Sequence, residues 1–220
     1  MKVRGIIWLI AFAIFISLSG NASVTTATTI HPTVDGSVRD GPPFGVKDGI
    51  PDSPVDRSIV QALNVPTFEE RGVVEFSLST LSQPISSAQL ILPVFASNGP
   101  FPFTVDVLTY VGDGVLTLAD WDQGSLFTTF PYSGEPTVTL NVTSFISSAL
   151  AEGDAFAGFN LRFAVPSNIA LNGPFVAFNS LEFPPAASLT VNVTGPCTLL
   201  LLSIGLGGVL VRARLTSWRA

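Results

Sequence analysis

Between Val24 and Val193 the chain is broken every few residues by glycine, proline or asparagine, and the intervals are filled with valine, threonine, isoleucine and phenylalanine. Punctuation of this kind leaves room for short strands and turns and for very little helix. Seventeen Phe, 17 Pro and 19 Gly in 220 residues, with only 12% charged residues, belong to the same pattern, since β-branched and aromatic side chains suit a pleated, half-buried surface. The intervals predict strands at Val24–His31, Arg57–Asn64, Gly72–Leu78, Ala88–Phe95, Phe103–Val111, Ser125–Phe130, Thr137–Val142, Ala155–Ala164, Phe175–Phe178 and Ser188–Val193. The fold class they imply is all-β, an antiparallel β-sandwich of two packed sheets.

Alternation assigns faces within these strands. In "FTVDVLTYV" the residues Phe103, Val105, Val107 and Thr109 share one face, expected to be buried, and Thr104, Asp106, Leu108 and Tyr110 share the other. "GFNLRF" places Phe159, Leu161 and Phe163 inward and Arg162 outward. One short helix is expected at Thr143–Leu150, with a threonine or serine cap, Phe145, Ile146 and Leu150 on one side, and a stop at Gly153. No repeat of fixed period occurs, which excludes propellers and solenoids. The length suits one domain once both ends are set aside.

Both ends read as addresses. Residues 1–22 carry a basic start at Lys2 and Arg4, an apolar run from Ile6 to Leu18, and small or polar residues up to Ala22, the three-part layout of a secretory signal peptide cleaved after Ala22. An uncleaved N-terminal anchor is the alternative. At the other end Leu199–Val211 would rise about 20 Å as a helix, against a hydrocarbon core of about 30 Å, so it spans only with help from its flanks or by thinning the bilayer. Arg212, Arg214 and Arg219 behind it would keep the C-terminus in the cytoplasm. A buried core helix is the rival reading of this tract. A hydrophobic tail trailed by arginines does not fit a GPI signal, and no cysteine follows the N-terminal segment to make a lipoprotein.

A small polar stretch, a marginal apolar helix and a basic tail together resemble the bacterial PEP-CTERM sorting signal over residues 194–220. Pro196 stands for the second proline of that signal, Thr198, "LLLL" and "GLGG" follow in order, and Arg212 and Arg214 supply the cluster; Thr194 and Gly195 replace the first proline and the glutamate, and Cys197 takes the serine position. The resemblance implies an exosortase-type sorting enzyme as partner and a temporary hold in the inner membrane before release to the cell surface. The succession "RGVVEFSLSTL", "ISSAQLIL", "VDVLTYVGDG", "LADWDQG", "VTLNVTSFISSAL", "GFNLRF" and "ASLTVNV" resembles exported jelly-roll domains of the DNRLRE type from about Ile30 to Val193. That resemblance implies a jelly roll similar to carbohydrate-binding modules over residues 23–193, an extracellular setting and, faintly, saccharide binding.

Charge narrows the partners. Between the two ends five basic residues face all 16 acidic ones, a balance of -11, which repels phosphate backbones and anionic headgroups and argues against nucleic acid. Catalysis by a histidine-based triad would have to use His31, the only histidine, which precedes a proline near the mature N-terminus and reads as a strand-end residue. The single cysteine, Cys197, allows no intramolecular disulfide, and zinc sites built from His and Cys are excluded by count.

Three candidate sites remain. Asp120 and Asp122 flank Trp121, an arrangement that could serve a sugar through stacking and hydrogen bonding but more commonly forms a turn with the ring packed inward. Tyr110, Trp121 and Tyr132 are the aromatics expected to line a polysaccharide groove if the domain is a binding module. Asp35, Asp40, Asp48, Asp52 and Asp56 fall in one Gly- and Pro-rich segment read as low in β content, with Asp113 in "VGDG"; a structural calcium and a solvated acidic loop are its two readings, and the spacing is not that of an EF-hand. Three N-x-T/S triplets, at Asn21, Asn141 and Asn192, are what Thr- and Asn-rich strands generate by chance. The expected function is structural or adhesive, in an extracellular matrix and associated with exopolysaccharide. A carbohydrate-binding module is the alternative, and no enzyme and no obligate cofactor are expected.

Overall fold

A computed structural model describes residues 23–55, 59–82, 84–164 and 173–196. The signal peptide, the apolar tract Leu199–Val211 and the motif residues Cys197, Thr198, Arg212 and Arg214 lie outside the described residues, as do Asp56 and Arg57. The chain falls into two compact units, Ala27–Val193 and a second made of Met1–Thr26 with Thr194–Ala220. Of the second only the ends of two strands are described, Pro196 being the last residue of one. Among the described residues no helix is long and apolar enough to cross a membrane.

The larger unit is all-β. Strands β1 (Ser23–Ile30), β2 (Val34–Asp40), β3 (Ser53–Val55), β4 (Ile59–Asn64), β5 (Glu69–Ser77), β6 (Ile85–Asn98), β7 (Phe103–Val111), β8 (Ser125–Tyr132), β9 (Thr137–Asn141), β10 (Phe156–Phe163), β11 (Phe175–Asn179) and β12 (Ser188–Pro196) join one antiparallel sheet curled into a half-barrel. The hydrogen-bonded path runs β1-β12-β6-β11-β4-β5-β10-β7-β8, with β2 and β3 attached at β5 and β9 attached at β6. All ten expected strands are present. The two missed, β2 and β3, lie in the segment read as an acidic loop.

Two strands turn the sheet on itself. Over Ile85–Pro93, β6 pairs with β12 and β9, and over Val94–Asn98 it pairs with β11. β4 pairs with β11 from Ile59 to Leu63 but with β5 only at Leu63 and Asn64, beside the tight turn closed by Val65 N–H to the Phe68 carbonyl at 2.9 Å. Beyond that turn β10 takes the place next to β5, from Gly72 to Ser77. A strand that changes partners along its length bends the sheet and brings its two halves face to face.

The space between them is filled by one apolar cluster drawn from nearly every strand. Val74, Phe76, Leu90, Leu92, Phe159, Leu161, Phe178, Leu189 and Val191 are fully buried in it. The rings of Phe76 and Phe159 meet edge to face at 6.0 Å. Helix α1 (Thr143–Glu152) closes the cluster with Ile146 and Ala149, and Phe145 stands edge-on to Phe159 at 5.4 Å. It stops at Gly153, whose φ of 81° is the left-handed conformation glycine adopts without strain. The expected cap differs: Val142 is the N-cap residue, and the Asn141 side chain, which accepts from Thr143 N–H at 3.1 Å, satisfies the first turn instead of a serine or threonine.

Alternation divides the faces of β10 and β7 as expected, but burial is not confined to the inner face of either strand. Phe159, Leu161 and Phe163 are buried and Arg162 is partly exposed, as expected. On the outer faces, Asp106, Leu108 and Tyr110 of β7 are nevertheless buried, less completely than Val105 and Val107, and Asn160 of β10 is fully buried. The segment between β7 and β8 folds back over the outer face, and a second small core of Val38, Val73, Tyr110 and Trp121 forms beneath it, with Leu116 packed against it.

Candidate functional site

The covered outer face holds a dense cluster of buried polar side chains. Glu75 on β5 and Tyr110 on β7 both stand opposite Gly158 on the intervening β10. A Cβ at Gly158 would lie 2.4 Å from the Tyr110 ring, so only glycine lets the tyrosine lie across β10. Its hydroxyl then reaches Glu75 Oε1 at 2.8 Å, while Glu75 Oε2 accepts from Gly114 N–H at 2.7 Å. Glu75 is fully buried, and Gly112 passes so close that a Cβ there would meet the carboxyl at 2.6 Å.

Asp120 faces the same hydroxyl. It belongs to a short 3-10 turn, Leu118–Trp121, with Thr117 as cap: Asp120 Oδ2 accepts from Thr117 N–H at 2.6 Å, and Thr117 Oγ1 accepts from Ala119 N–H at 3.2 Å. The turn is bound to the sheet from below. Asn160 donates to the Asp120 carbonyl at 2.6 Å, Arg71 donates to the Trp121 carbonyl at 2.6 Å, and the Arg71 guanidinium lies 3.9 Å over the Trp121 ring. Arg71 is further held by Glu69 at 2.7 Å and Asp122 at 3.2 Å.

Burial raises the pKa of both Glu75 and Asp120, because a carboxylate loses its water there; hydrogen bonds from Gly114 and Thr117 N–H oppose the effect, and Asp113 adds to it by like charge. Burial likewise raises the Tyr110 phenol, with the Glu75 charge adding to it. Every oxygen named here is committed to the fold. Glu75, Tyr110 and Asp120 act as rivets for the overlying segment.

The expected aromatic groove is corrected by this placement. Trp121, Tyr110 and Tyr132 are all buried, at 2%, 7% and 1% of their possible exposure, so none offers a ring to a ligand. Trp121 with its flanking aspartates is the packed turn, the commoner of the two readings. Tyr132 belongs to the main core, its ring 5.3 Å from Phe103 and its hydroxyl 3.1 Å from Ser97 Oγ and from the Glu135 carbonyl.

The aspartates read as calcium ligands occupy three settings. Asp35, on β2, accepts from Leu181 N–H at 2.8 Å. Fully buried Asp40 accepts from Gly49 N–H at 2.8 Å and Asp48 N–H at 3.2 Å, and Asp52 accepts from Gly41 N–H at 2.7 Å, so these three shape the 41–52 connection. Asp113 turns its own loop by accepting from Val115 N–H at 2.9 Å. Among the described residues no group of three His, Cys, Asp or Glu stands close enough to hold a metal ion. His31 is exposed, with Nδ1 3.4 Å from the Ala187 carbonyl.

A second surface was not anticipated. β1, β12, β6 and β9 contain no Asp, Glu, Lys or Arg. Register sets Gln89 between Thr190 and Asn141 on their outer face, and the Thr29 and Thr190 hydroxyls lie 3.1 Å apart. The next row joins Ser188, Ile91 and Thr139. Farther along β6 a bulge leaves Phe95 with no residue opposite, between the pairs Val94 with Phe178 and Ala96 with Ala177. Phe95 is 51% exposed and its ring lies 5.3 Å from that of Phe183, itself 43% exposed. The sequence signal was available, as the absence of charge in the four strands, but ordinary solvent-facing strands look much the same until register aligns them. No protein-family model matches the chain, and no curated protein matches it.

Proposed function

We propose that this chain is an exported, non-catalytic β-domain that serves as a structural or adhesive component outside the cell, in association with exopolysaccharide. Its fold is a jelly-roll β-sandwich of the kind resembled in the sequence, delivered by an N-terminal signal peptide and held by a PEP-CTERM-like tail until a sorting enzyme of the exosortase type trims it. The observation that carries the reading is the division of polar chemistry: the ionisable groups Glu75, Asp120, Arg71, Arg39, Glu70 and Asp40 are turned inward as fasteners, while a whole charge-free flank faces solvent. Fasteners of that sort stabilise a payload without giving it a cleft in which to react. The strands that change partners, β4 and β6, support the sandwich form.

Intact-mass analysis of the protein recovered from the cell surface tests the proposal. The expected product starts at Ser23 and lacks residues after the polar edge near Pro196. A surface form that still carries Met1 and ends at Ala220 overturns the sorting route.

A further inference from the structure

We propose that the outer face of β6, β9 and β12 binds a neutral polysaccharide, with Phe95 and Phe183 stacking on a sugar ring and Gln89, Thr139 and Thr190 hydrogen-bonding its hydroxyls. The inference rests on the adhesive reading and gives it a ligand.

Position comes first. A bulge is a common device beside binding sites. Here Phe95 faces outward by simple alternation with Gln89 and Ile91, and the bulge beside it leaves it without a residue opposite on β11. The loop between β11 and β12 brings Phe183 against it, with the two rings inclined at 42°. Two large apolar rings left in water side by side, at the end of a row of amides and hydroxyls, match a ligand that is apolar on its C–H faces and polar around its rim.

Charge selects among such ligands. Amide and hydroxyl side chains both donate and accept, as sugar hydroxyls do. With no Lys or Arg on these strands an anionic polymer finds no counter-charge. The carboxylates nearest the aromatic end, Glu135 before β9 and Glu182 before Phe183, would repel it. Each is held ionised by a local hydrogen bond, from Ser133 N–H at 2.9 Å and from the Ser180 hydroxyl at 2.6 Å. An open face, in place of a pocket, favours a chain that makes weak contacts over several residues.

Native affinity electrophoresis of the purified full-length chain in mild detergent reads the binding directly, with hydroxyethyl cellulose, xyloglucan, galactomannan or dextran in the gel and alginate as the anionic control. Retardation by at least one neutral polymer and none by alginate is expected. Phe95→Ala with Phe183→Ala should weaken it about tenfold. Gln89→Ala with Thr139→Ala, both at exposed positions that leave the core intact, should weaken it by about threefold or more with unchanged circular dichroism. The proposal is overturned if none of the four polymers retards the chain, if alginate alone does, or if the Gln89 and Thr139 variant binds undiminished. It is equally overturned if the phenylalanine variant only converts a sedimenting dimer to monomer, which would make the face a contact between copies of the chain. Since purified protein is used, binding can fail while surface delivery stands, and the mass measurement can fail while binding stands.

Discussion

On β5, Glu69, Glu70, Arg71 and Glu75 all lie within a strand of nine residues, and each is engaged by the fold. On β6, fourteen residues long, there is no charge at all, and Gln89 and Phe95 stand in solvent. The two strands belong to one curled sheet and share one core, so the contrast is not a matter of fold class. It comes from what lies over each outer face. The β5 side is roofed by the 112–124 segment, and polar groups under a roof must find partners or cost free energy. The β6 side is open, where uncharged polar residues satisfy themselves with water and stay available. Of these two strands, the charged one is therefore the one whose charges hold the chain together.

The contrast can be broken hardest at Arg39. Its guanidinium, 8% exposed, pairs with fully buried Glu70, donates to the Pro42 carbonyl at 3.3 Å, and lies 4.8 Å over the Phe68 ring. Arg39→Ala removes the guanidinium from a buried carboxylate, and removal of one partner of a buried pair costs about 3–5 kcal/mol. Equilibrium urea unfolding should show this as a large fall in midpoint at neutral pH. A loss below about 0.5 kcal/mol, the size expected of an ordinary surface site, would mean that the charged half is not held by its charges.

A smaller effect is expected at Gly158, where no charge is altered. Its absent side chain is what allows Tyr110 to cross β10 and reach Glu75. Gly158→Ala forces the ring up against the 112–124 segment, an overpacking that costs about 1–3 kcal/mol. Hydrogen exchange should then speed at the Gly114 amide, which donates to Glu75, while the amides of β6 and β9 keep their protection. Equal loss of protection in both halves would erase the distinction between them.

The residues themselves show how far the sequence could be read. Strand positions were legible because the glycine and proline breaks are local signals, and β7 was placed to the residue. β2 was not legible, since its inward side chains are Asp35, Ser37 and Arg39, which bury only by pairing with groups distant in the chain. "VDGSVRD" consequently lacks the apolar alternation of a strand and in sequence reads as part of an acidic loop or a calcium site. Tyr110, Trp121 and Tyr132, the aromatics expected to line a groove, are instead buried, the first two under the 112–124 segment and Tyr132 in the main core. An aromatic beside acids looks the same in sequence whether it stacks on a ligand or is pinned under a loop, and the deciding fact, the glycine opposite Tyr110, lies on another strand. Phe95 is outward by the alternation of β6 itself, but its setting has no mark in that strand alone: the bulge that leaves it without a residue opposite and the approach of Phe183 both come from the β11 side.

The smallest of these effects concerns the proton on Glu75, and its sign follows from burial. The folded-state pKa is raised above the ordinary 4.5 because the carboxyl is desolvated, so between that value and the raised one the folded chain holds a proton that the unfolded chain has lost. Stability contributed by this group is thus greatest on the acid side and declines as pH rises through the window; Asp120, raised for the same reason, acts in the same direction. Glu75→Gln cannot ionise. Relative to the native chain it should gain steadily as pH rises from about pH 4 to about pH 8, whatever its absolute stability after the loss of one carboxyl oxygen, since Gln can accept from Tyr110 or from Gly114 but not equally from both. Urea unfolding of both proteins across that range measures the gap between the two curves. Parallel curves would show that Glu75 titrates as it does in water and that the roof over β5 does not exclude solvent, leaving the two outer faces alike in the one respect that sets them apart.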